Sequence, residues 1–328
     1  MSRAPTDRPG EFELIARHFA PLAAPGGLGL LDDAAVLTPP PGHDLVLSKD
    51  MLVAGVHFFA DDPPDSIGRK ALRVNLSDLA AKGARPLGFL LGLGLPQGWD
   101  EPWLAAFAAG IGADAAAFGC PLYGGDTVAT PERATVSVSV FGAVPAGQML
   151  RRAGGKVGDA LYVSGTIGDG ALGLYARMAE REGRGDPSDA PLVARYLVPE
   201  PRTALAGCLR AHARAAMDVS DGLLGDAAKL AKASGCGLAL RLGDVPLSPR
   251  AAAWIAGDAD HLRRAVTGGD DYEILCAVPP KRCGAFEKDA RAAGQRVTRI
   301  GELIGGETRI TGADGLPVRF PVASYRHF

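Results

Sequence analysis

The stretch Ala215-Ala216-Met217-Asp218-Val219-Ser220-Asp221-Gly222-Leu223-Leu224-Gly225-Asp226 sets two carboxylates and a hydroxyl within four residues, Asp218 to Asp221. Carboxylates this close repel one another unless a cation neutralises them, a helix N-terminus favours them or solvent screens them. Two readings stay open. Ser220 caps a helix with Asp221 in its first turn, or the carboxylates hold a cation. Further acidic residues stand where elements begin or end: Asp33 before the apolar run Ala34-Ala35-Val36-Leu37, Asp50 after Leu45-Val46-Leu47, Asp78 on a helix face, and Asp126 in Gly124-Gly125-Asp126-Thr127. A lone Asp at such a place usually serves a turn or cap, so the argument rests on the set. Carboxylate and hydroxyl oxygens are hard ligands that suit Mg²⁺, which takes one or two carboxylates together with phosphate oxygens and water. The neighbouring glycines let backbone approach a phosphate closely. Arg151 and Arg152, ahead of Gly154-Gly155, offer guanidinium groups to a phosphate or form a solvated pair before a turn.

Other chemistries are excluded. There is no G-x-x-x-x-G-K-[ST], no G-x-S-x-G, no H-E-x-x-H and no H-R-D set. Gly27-x-Gly29 lacks the third glycine of a dinucleotide fingerprint. The six His are scattered, and the five Cys contain no C-x-x-C pair, which suits small buried thiols in a reducing compartment. The net charge of −2 offers nothing global to nucleic acid or an anionic membrane, so any phosphate must be held locally. No signal-peptide core opens the chain and no run of about 18 apolar residues crosses a membrane. A cytoplasmic protein is expected.

The elements that must position these residues follow from periodicity. With 328 residues and 47% hydrophobic content, the chain supports a sizeable core and two domains. In the first half, helices are expected over 11–19, 66–83 and 103–118, with strands at 34–37, 45–50, 89–95 and 134–144. Asn75, Asp78 and Lys82 share one polar stripe of the second helix. In the second half, strands are expected at 160–164, 237–242, 273–278 and 297–304. Helices surround them at 171–182 and 281–293, and on both sides of the Asp218 stretch. Both halves mix strands and helices, giving an α/β (α+β) class with mixed sheets flanked by helices. Composition changes near Pro145-Ala146-Gly147, which places domains at 1–147 and 148–328. Each half carries a Ser-Asp pair (Ser77-Asp78, Ser220-Asp221) and a Gly-Gly-Asp turn (124–126, 268–270).

Taken in order, these motifs resemble the thiamine-monophosphate kinases of the AIR-synthetase-like (PurM) superfamily. The matching stretches are GEFELIARHF from Gly10, DDAAVL from Asp32, DMLVAGVHF from Asp50, KALRVNLSDLAAKGA from Lys70 and GGDT from Gly124. RAGGK from Arg152, YLVPEPR from Tyr196, MDVSDGL from Met217, GGDDYE from Gly268 and a tyrosine near the final His-Phe complete the series. They cover essentially the whole chain.

The resemblance implies a two-domain PurM-like architecture whose N-terminal domain pairs with its copy in a homodimer. It implies ATP-dependent phosphorylation of thiamine phosphate to thiamine diphosphate, with several Mg²⁺ ions and, commonly in the family, K⁺. By matching positions, Asp33, Ser48, Asp50, Asp78, Asp126, Asp218 and Asp221 are the metal ligands. Gly125, Asp126, Arg152 and Ser220 lie against ATP, and His57, Asp270 and Tyr325 line the thiamine phosphate site. No catalytic base is assigned. Each phosphate group carries about −1.5 to −2 charge and the attacking oxygen is already anionic. The reaction then needs suppressed repulsion and in-line alignment.

Three positions depart from the family pattern. Leu31 replaces Gly before the Asp pair, Lys49 replaces Thr or Ser before Asp50, and Asp270 replaces Glu, one methylene shorter. Lys49 is expected to point to solvent. The alternatives are a selenophosphate or aminoimidazole ribonucleotide synthetase type of enzyme, or a non-catalytic nucleotide or metal sensor. A selenophosphate synthetase needs a reactive Cys near the N-terminus, and the first Cys here is Cys120.

Overall fold

The computed structural model describes residues 10–258, 260–320 and 324. Two compact units emerge: Met1–Leu76 with Pro86–Ala143, and Ser77–Arg85 with Val144–Phe328. The second unit therefore takes residues 77–85, which a division at 147 leaves with the first half.

The first unit holds a four-stranded sheet in the order β1-β4-β2-β3, built from β1 (His43–Val53), β2 (Arg85–Pro96), β3 (Leu122–Thr130) and β4 (Thr135–Pro145). β2 and β3 run parallel, with Gly92 opposite Asp126. Side chains alternate across β1 as strand geometry requires. Val46 and Leu52 are buried, Ser48 and Asp50 lie on that same side, and Leu45, Leu47, Lys49 and Met51 are exposed on the other. Lys49 thus points outward, as expected. Helices α2 (Pro64–Ala81) and α3 (Glu101–Ala117) cross closely at Gly68 and Gly110. A Cβ on Gly68 would stand 2.4 Å from the Phe107 carbonyl oxygen, and one on Gly110 would stand 2.1 Å from that of Asp65. Asp100 caps α3 by accepting from the Trp103 N–H at 2.8 Å.

Two expectations fail in this unit. Residues 34–37 are not a strand. They are exposed or half-exposed, and only Val36 is tied to the body, donating its N–H to the Gly26 carbonyl at 2.8 Å. Gly124-Gly125-Asp126 is not a turn but the middle of β3. Glycine is needed at 125 because a Cβ would lie 1.9 Å from the Leu91 carbonyl oxygen of the neighbouring strand.

The second unit is a six-stranded sheet in the order β10-β7-β9-β5-β8-β6. Its strands are β5 (Ala160–Ser164), β6 (Ala215–Val219), β7 (Gly237–Arg241), β8 (Glu273–Val278), β9 (Val297–Ile304) and β10 (Arg309–Thr311). Period-2 alternation feeds two cores. Leu161, Val163, Met217, Val219, Leu275 and Ala277 pack with α7 (Leu223–Ala233) on one face. Ala160, Tyr162, Ala216, Ile274, Cys276 and Val278 pack on the other, with α6 (Ala206–His212) and α10 (Cys283–Ala292). The last turn of α2 adds Ala80 and Ala81 to this second core, which is why 77–85 travel with this unit.

The opening stretch is therefore an edge strand followed by a helix. Its N-cap is Gly222 at φ 113°, with no side-chain cap, and not Ser220. Strand geometry persists to Val219, and the sharp turn after it needs glycine. A Cβ there would stand 2.6 Å from the Thr267 carbonyl carbon.

Candidate functional site

The antiparallel register of β6 and β8 sets Val219 opposite Glu273. The loop after β6 (residues 220–222) and the loop before β8 (residues 268–272) therefore leave the same end of the sheet, side by side. The Asp270 N–H donates to the Ser220 carbonyl at 2.9 Å and the Tyr272 N–H to that of Val219 at 2.8 Å. Asp270 and Tyr272 both take left-handed backbone, with φ 62° and 52°. For residues carrying a Cβ this is costly, and such strain clusters where function over-determines geometry. The Tyr272 hydroxyl bonds Asp270 Oδ1 at 3.3 Å.

Buried charges hold that loop. Asp271 accepts the Gly168 N–H at 2.9 Å and the Gly170 N–H at 3.0 Å, at the start of α4 (Asp169–Arg181). Burial pushes its carboxyl well above the usual range, against the pull of those two amides. Glu273, fully buried, accepts from Arg195 at 2.9 Å, from Arg202 at 2.7 and 2.5 Å, and from Ser164 at 2.5 Å. The same Arg195 nitrogen reaches the Asp271 carbonyl at 3.1 Å. Two guanidinium groups and a hydroxyl thus compensate one buried carboxylate.

The acidic residues of this unit are also individually placed. Asp218 is buried, and its Oδ2 accepts the Ser77 hydroxyl at 2.9 Å. Ser77 also lies 3.4 Å from the Tyr272 carbonyl, so it links the end of α2 to β6 and to the loop before β8. Asp226, which carried no role in the sequence reading, accepts the N–H groups of Ser220 at 3.1 Å and Asp221 at 3.0 Å. It clamps the turn that Ser220 was expected to cap. Burial raises its carboxyl, with Lys229 opposing that shift. Lys229 Nζ donates to Asp221 at 2.5 Å and Asp226 at 2.8 Å. Asp78 is half-buried in the last turn of α2, and Arg152 is exposed. The spacing of Asp221, Asp226 and Lys229 was visible in the sequence, as i, i+5 and i+8, but only the turn geometry brings the three together.

In the first unit, a cavity of ≈ 760 Å³ takes in Asp33, Gly125 and Asp126 together with Asp32, Thr127 and Ser137. Ser48 and Asp50 do not line it, because they alternate to the other side of β1. The Asp50 N–H donates to Asn75 Oδ1 at 2.9 Å, and Asn75 is fully buried rather than on a polar stripe. His57 Nδ1 accepts the Val53 N–H at 3.1 Å, which leaves the neutral ring's proton on Nε2. The Lys70 ammonium holds the His57 carbonyl at 3.0 Å. Tyr325 lies outside the described residues.

The donor set fits magnesium in one way only. Among the described residues no group of three or more His, Cys, Asp or Glu stands close enough to hold a metal ion, so an all-protein cage does not fit. Asp33 and Asp126 line one cavity, and carboxylates placed so suit an ion whose remaining ligands are phosphate oxygens and water.

Comparison with known proteins is consistent along the whole chain. Residues 31–144 match the model of the AIR synthase related protein N-terminal domain, and residues 156–312 match that of its C-terminal domain. A thiamine-monophosphate kinase of Caulobacter vibrioides is 49% identical over 304 residues, covering 91% of this chain and 85% of the relative. One of Salmonella typhimurium is 41% identical over 330 residues, covering 97% and 98%. The crystal structure of thiamine-monophosphate kinase from Stenotrophomonas maltophilia K279a superposes with a TM-score of 0.80 at 37% identity, over 88% of this chain and 91% of the other. AaThiL complexed with AMPPCP and TMP superposes with a TM-score of 0.78 at 29% identity, over 97% of each chain.

Proposed function

Because the chain belongs to the thiamine-monophosphate kinase family, we infer that it transfers the γ-phosphoryl group of ATP to thiamine phosphate, giving thiamine diphosphate and ADP. The observation that carries this reading is the match over 97% of the chain to a protein solved with AMPPCP and TMP.

The chemistry suits the residues. Both substrates present phosphate, and the acceptor oxygen is already an anion, so no side chain has to remove a proton. Bound Mg²⁺ supplies charge neutralisation for the two phosphates, and a K⁺ ion, common in the family, belongs to the same reading. We assign Asp33, Ser48, Asp50, Asp78, Asp126, Asp218 and Asp221 as metal ligands. Gly125, Asp126, Arg152 and Ser220 face the nucleotide, Gly125 and Asp126 because they line the cavity and Arg152 because guanidinium matches phosphate. His57, Asp270 and Tyr325 take thiamine phosphate. The left-handed backbone at Asp270 fixes the direction of a carboxylate that is one methylene shorter than the family's Glu. Transfer is direct, with no phosphorylated enzyme.

The exposed row Leu45, Leu47, Lys49 and Met51 on β1 is a mainly apolar sheet face that suits pairing with a second copy, and we assign it as the homodimer surface. No helix of the described residues is long and apolar enough to cross a membrane, and the reading places the enzyme with its ATP in the cytoplasm. The test is direct. Protein, Mg²⁺, ATP and thiamine phosphate should give thiamine diphosphate and ADP in equal amounts. ATP binding without thiamine diphosphate would favour a nucleotide sensor.

A further inference from the structure

One cation stands among the acidic residues of the second unit with no part in the assignments above. Lys82 directly follows the last residue of α2. Its Nζ donates to the Ala216 carbonyl at 3.0 Å, two residues before Asp218 on the edge strand β6. Its own carbonyl accepts the Leu150 N–H at 3.2 Å, and the Ala216 N–H donates to the Arg151 carbonyl at 2.9 Å. Lys82 therefore ties together the three segments that carry Asp78, Arg152 and Asp218. Burial pushes its ammonium below the ordinary lysine value. Asp218 and Asp78 favour the charge, and Arg152 opposes it.

A lysine near carboxylates is often only an ion pair of small worth. The arrangement here is more specific. Asp218 also has a neutral donor, the Ser77 hydroxyl on Oδ2 at 2.9 Å. The Lys82 head group is anchored on a backbone carbonyl, which fixes where its charge sits. Lys229, on α7, brings a second charge and donates directly to Asp221 at 2.5 Å. Asp221 thus holds a lysine charge directly, while Asp78, four residues before Lys82, and Asp218, two residues beyond the carbonyl that anchors it, share the field of its charge. A fixed positive charge lowers the affinity of nearby carboxylates for a divalent cation, and it adds attraction for a polyanion.

We propose that Lys82 is a positioning residue that masks Asp78 and Asp218 in the nucleotide-free protein, so that divalent metal enters this unit chiefly with the nucleotide's phosphates. The proposal rests on the assignment of Asp78 and Asp218 as metal ligands.

The test is Mn²⁺ binding to the nucleotide-free full chain, followed by electron paramagnetic resonance, in wild type, Lys82→Gln and Lys82→Arg. Gln keeps a donor for the Ala216 carbonyl and removes the charge, while Arg keeps the charge. Lys82→Gln should tighten Mn²⁺ binding at least about fivefold, in line with charges a few ångströms apart near a protein surface, and Lys82→Arg should not. AMPPCP binding in the presence of Mg²⁺ should weaken about fivefold or more in Lys82→Gln. A folded Lys82→Gln protein with unchanged or weaker Mn²⁺ binding would reduce Lys82 to a strut and overturn the proposal. Should that variant not fold, Asp78→Asn in the otherwise native chain decides. Masking predicts less than about a twofold loss of Mn²⁺ affinity without nucleotide, and a loss of about tenfold contradicts it. Thiamine diphosphate formation by the wild type is measured separately. Failure there removes the activity assignment and leaves the metal-binding result standing.

Discussion

At the scale of single residues, the carboxylates divide by what already holds them. Asp218 has a buried hydroxyl partner, Asp221 has Lys229, and Asp126 stands exposed on β3 beside a glycine that cannot be replaced without collision. Lys49, one of the three departures from the family pattern, is exposed on the far side of β1 from Ser48 and Asp50. Asp126→Asn and Asp218→Asn should therefore each lower kcat/KM by at least about 10²-fold, the scale expected when charge stabilisation of a transferring phosphoryl group is lost. Lys49→Thr should stay within about threefold. Steady-state kinetics of the three variants separates these outcomes, and a Lys49→Thr variant as damaging as the aspartate variants would show that the lysine acts in the site. The residue types were legible in the sequence because hard-oxygen ligands beside glycine are a chemical pattern. Asp226, Ser77 and Lys82 were not, because their roles depend on which backbone atom each side chain meets after folding.

At the scale of elements, the decisive feature is two loops at one end of the second sheet. Four strands of that unit, β5, β7, β8 and β9, coincide within a residue with the runs read from alternation and β-branched content. β6 was missed. Its Ala-Ala-Met-Asp-Val run reads as an opening into the following helix, and only pairing with β8 makes it a strand, a tertiary override of local propensity. The expected cap at Ser220 failed for a related reason. With the strand persisting to Val219, the turn falls on Gly222 and the clamp passes to Asp226. Ser77 couples β6 and the loop before β8 to the last turn of α2. Removing its hydroxyl leaves a buried carboxylate oxygen short of a donor, which costs about 1–3 kcal/mol. Ser77→Ala should thus lower stability by that amount in denaturant unfolding and also raise the Mg²⁺ concentration needed for half-maximal rate. A loss of stability with an unchanged Mg²⁺ requirement would limit Ser77 to packing.

At the scale of the molecule, the class of fold followed from the alternation of strands and helices in both halves, and the family followed from motifs spread over the full length. The placement of residues 77–85 did not follow. A continuous helix gives no sign in its sequence that its last turn is packed into a different unit, and the reason appears only in the partners of Ser77, Ala80, Ala81 and Lys82. The open face of the first unit carries the prediction for assembly. Light scattering should show a dimer for the native chain, and Leu47→Arg, a charge placed on a residue 65% exposed on that face, should give monomers with unchanged far-ultraviolet circular dichroism. A Leu47→Arg protein that remains dimeric would move the interface elsewhere.

Direct transfer between two phosphates puts cations and oriented carboxylates in place of a covalent intermediate. The stereochemical course tests this most directly. With ATP made chiral at the γ-phosphorus by oxygen isotopes, the terminal phosphate of thiamine diphosphate should emerge with inverted configuration, as a single in-line displacement requires. Retention would mean two displacements through a phosphorylated side chain, and would rule out direct transfer.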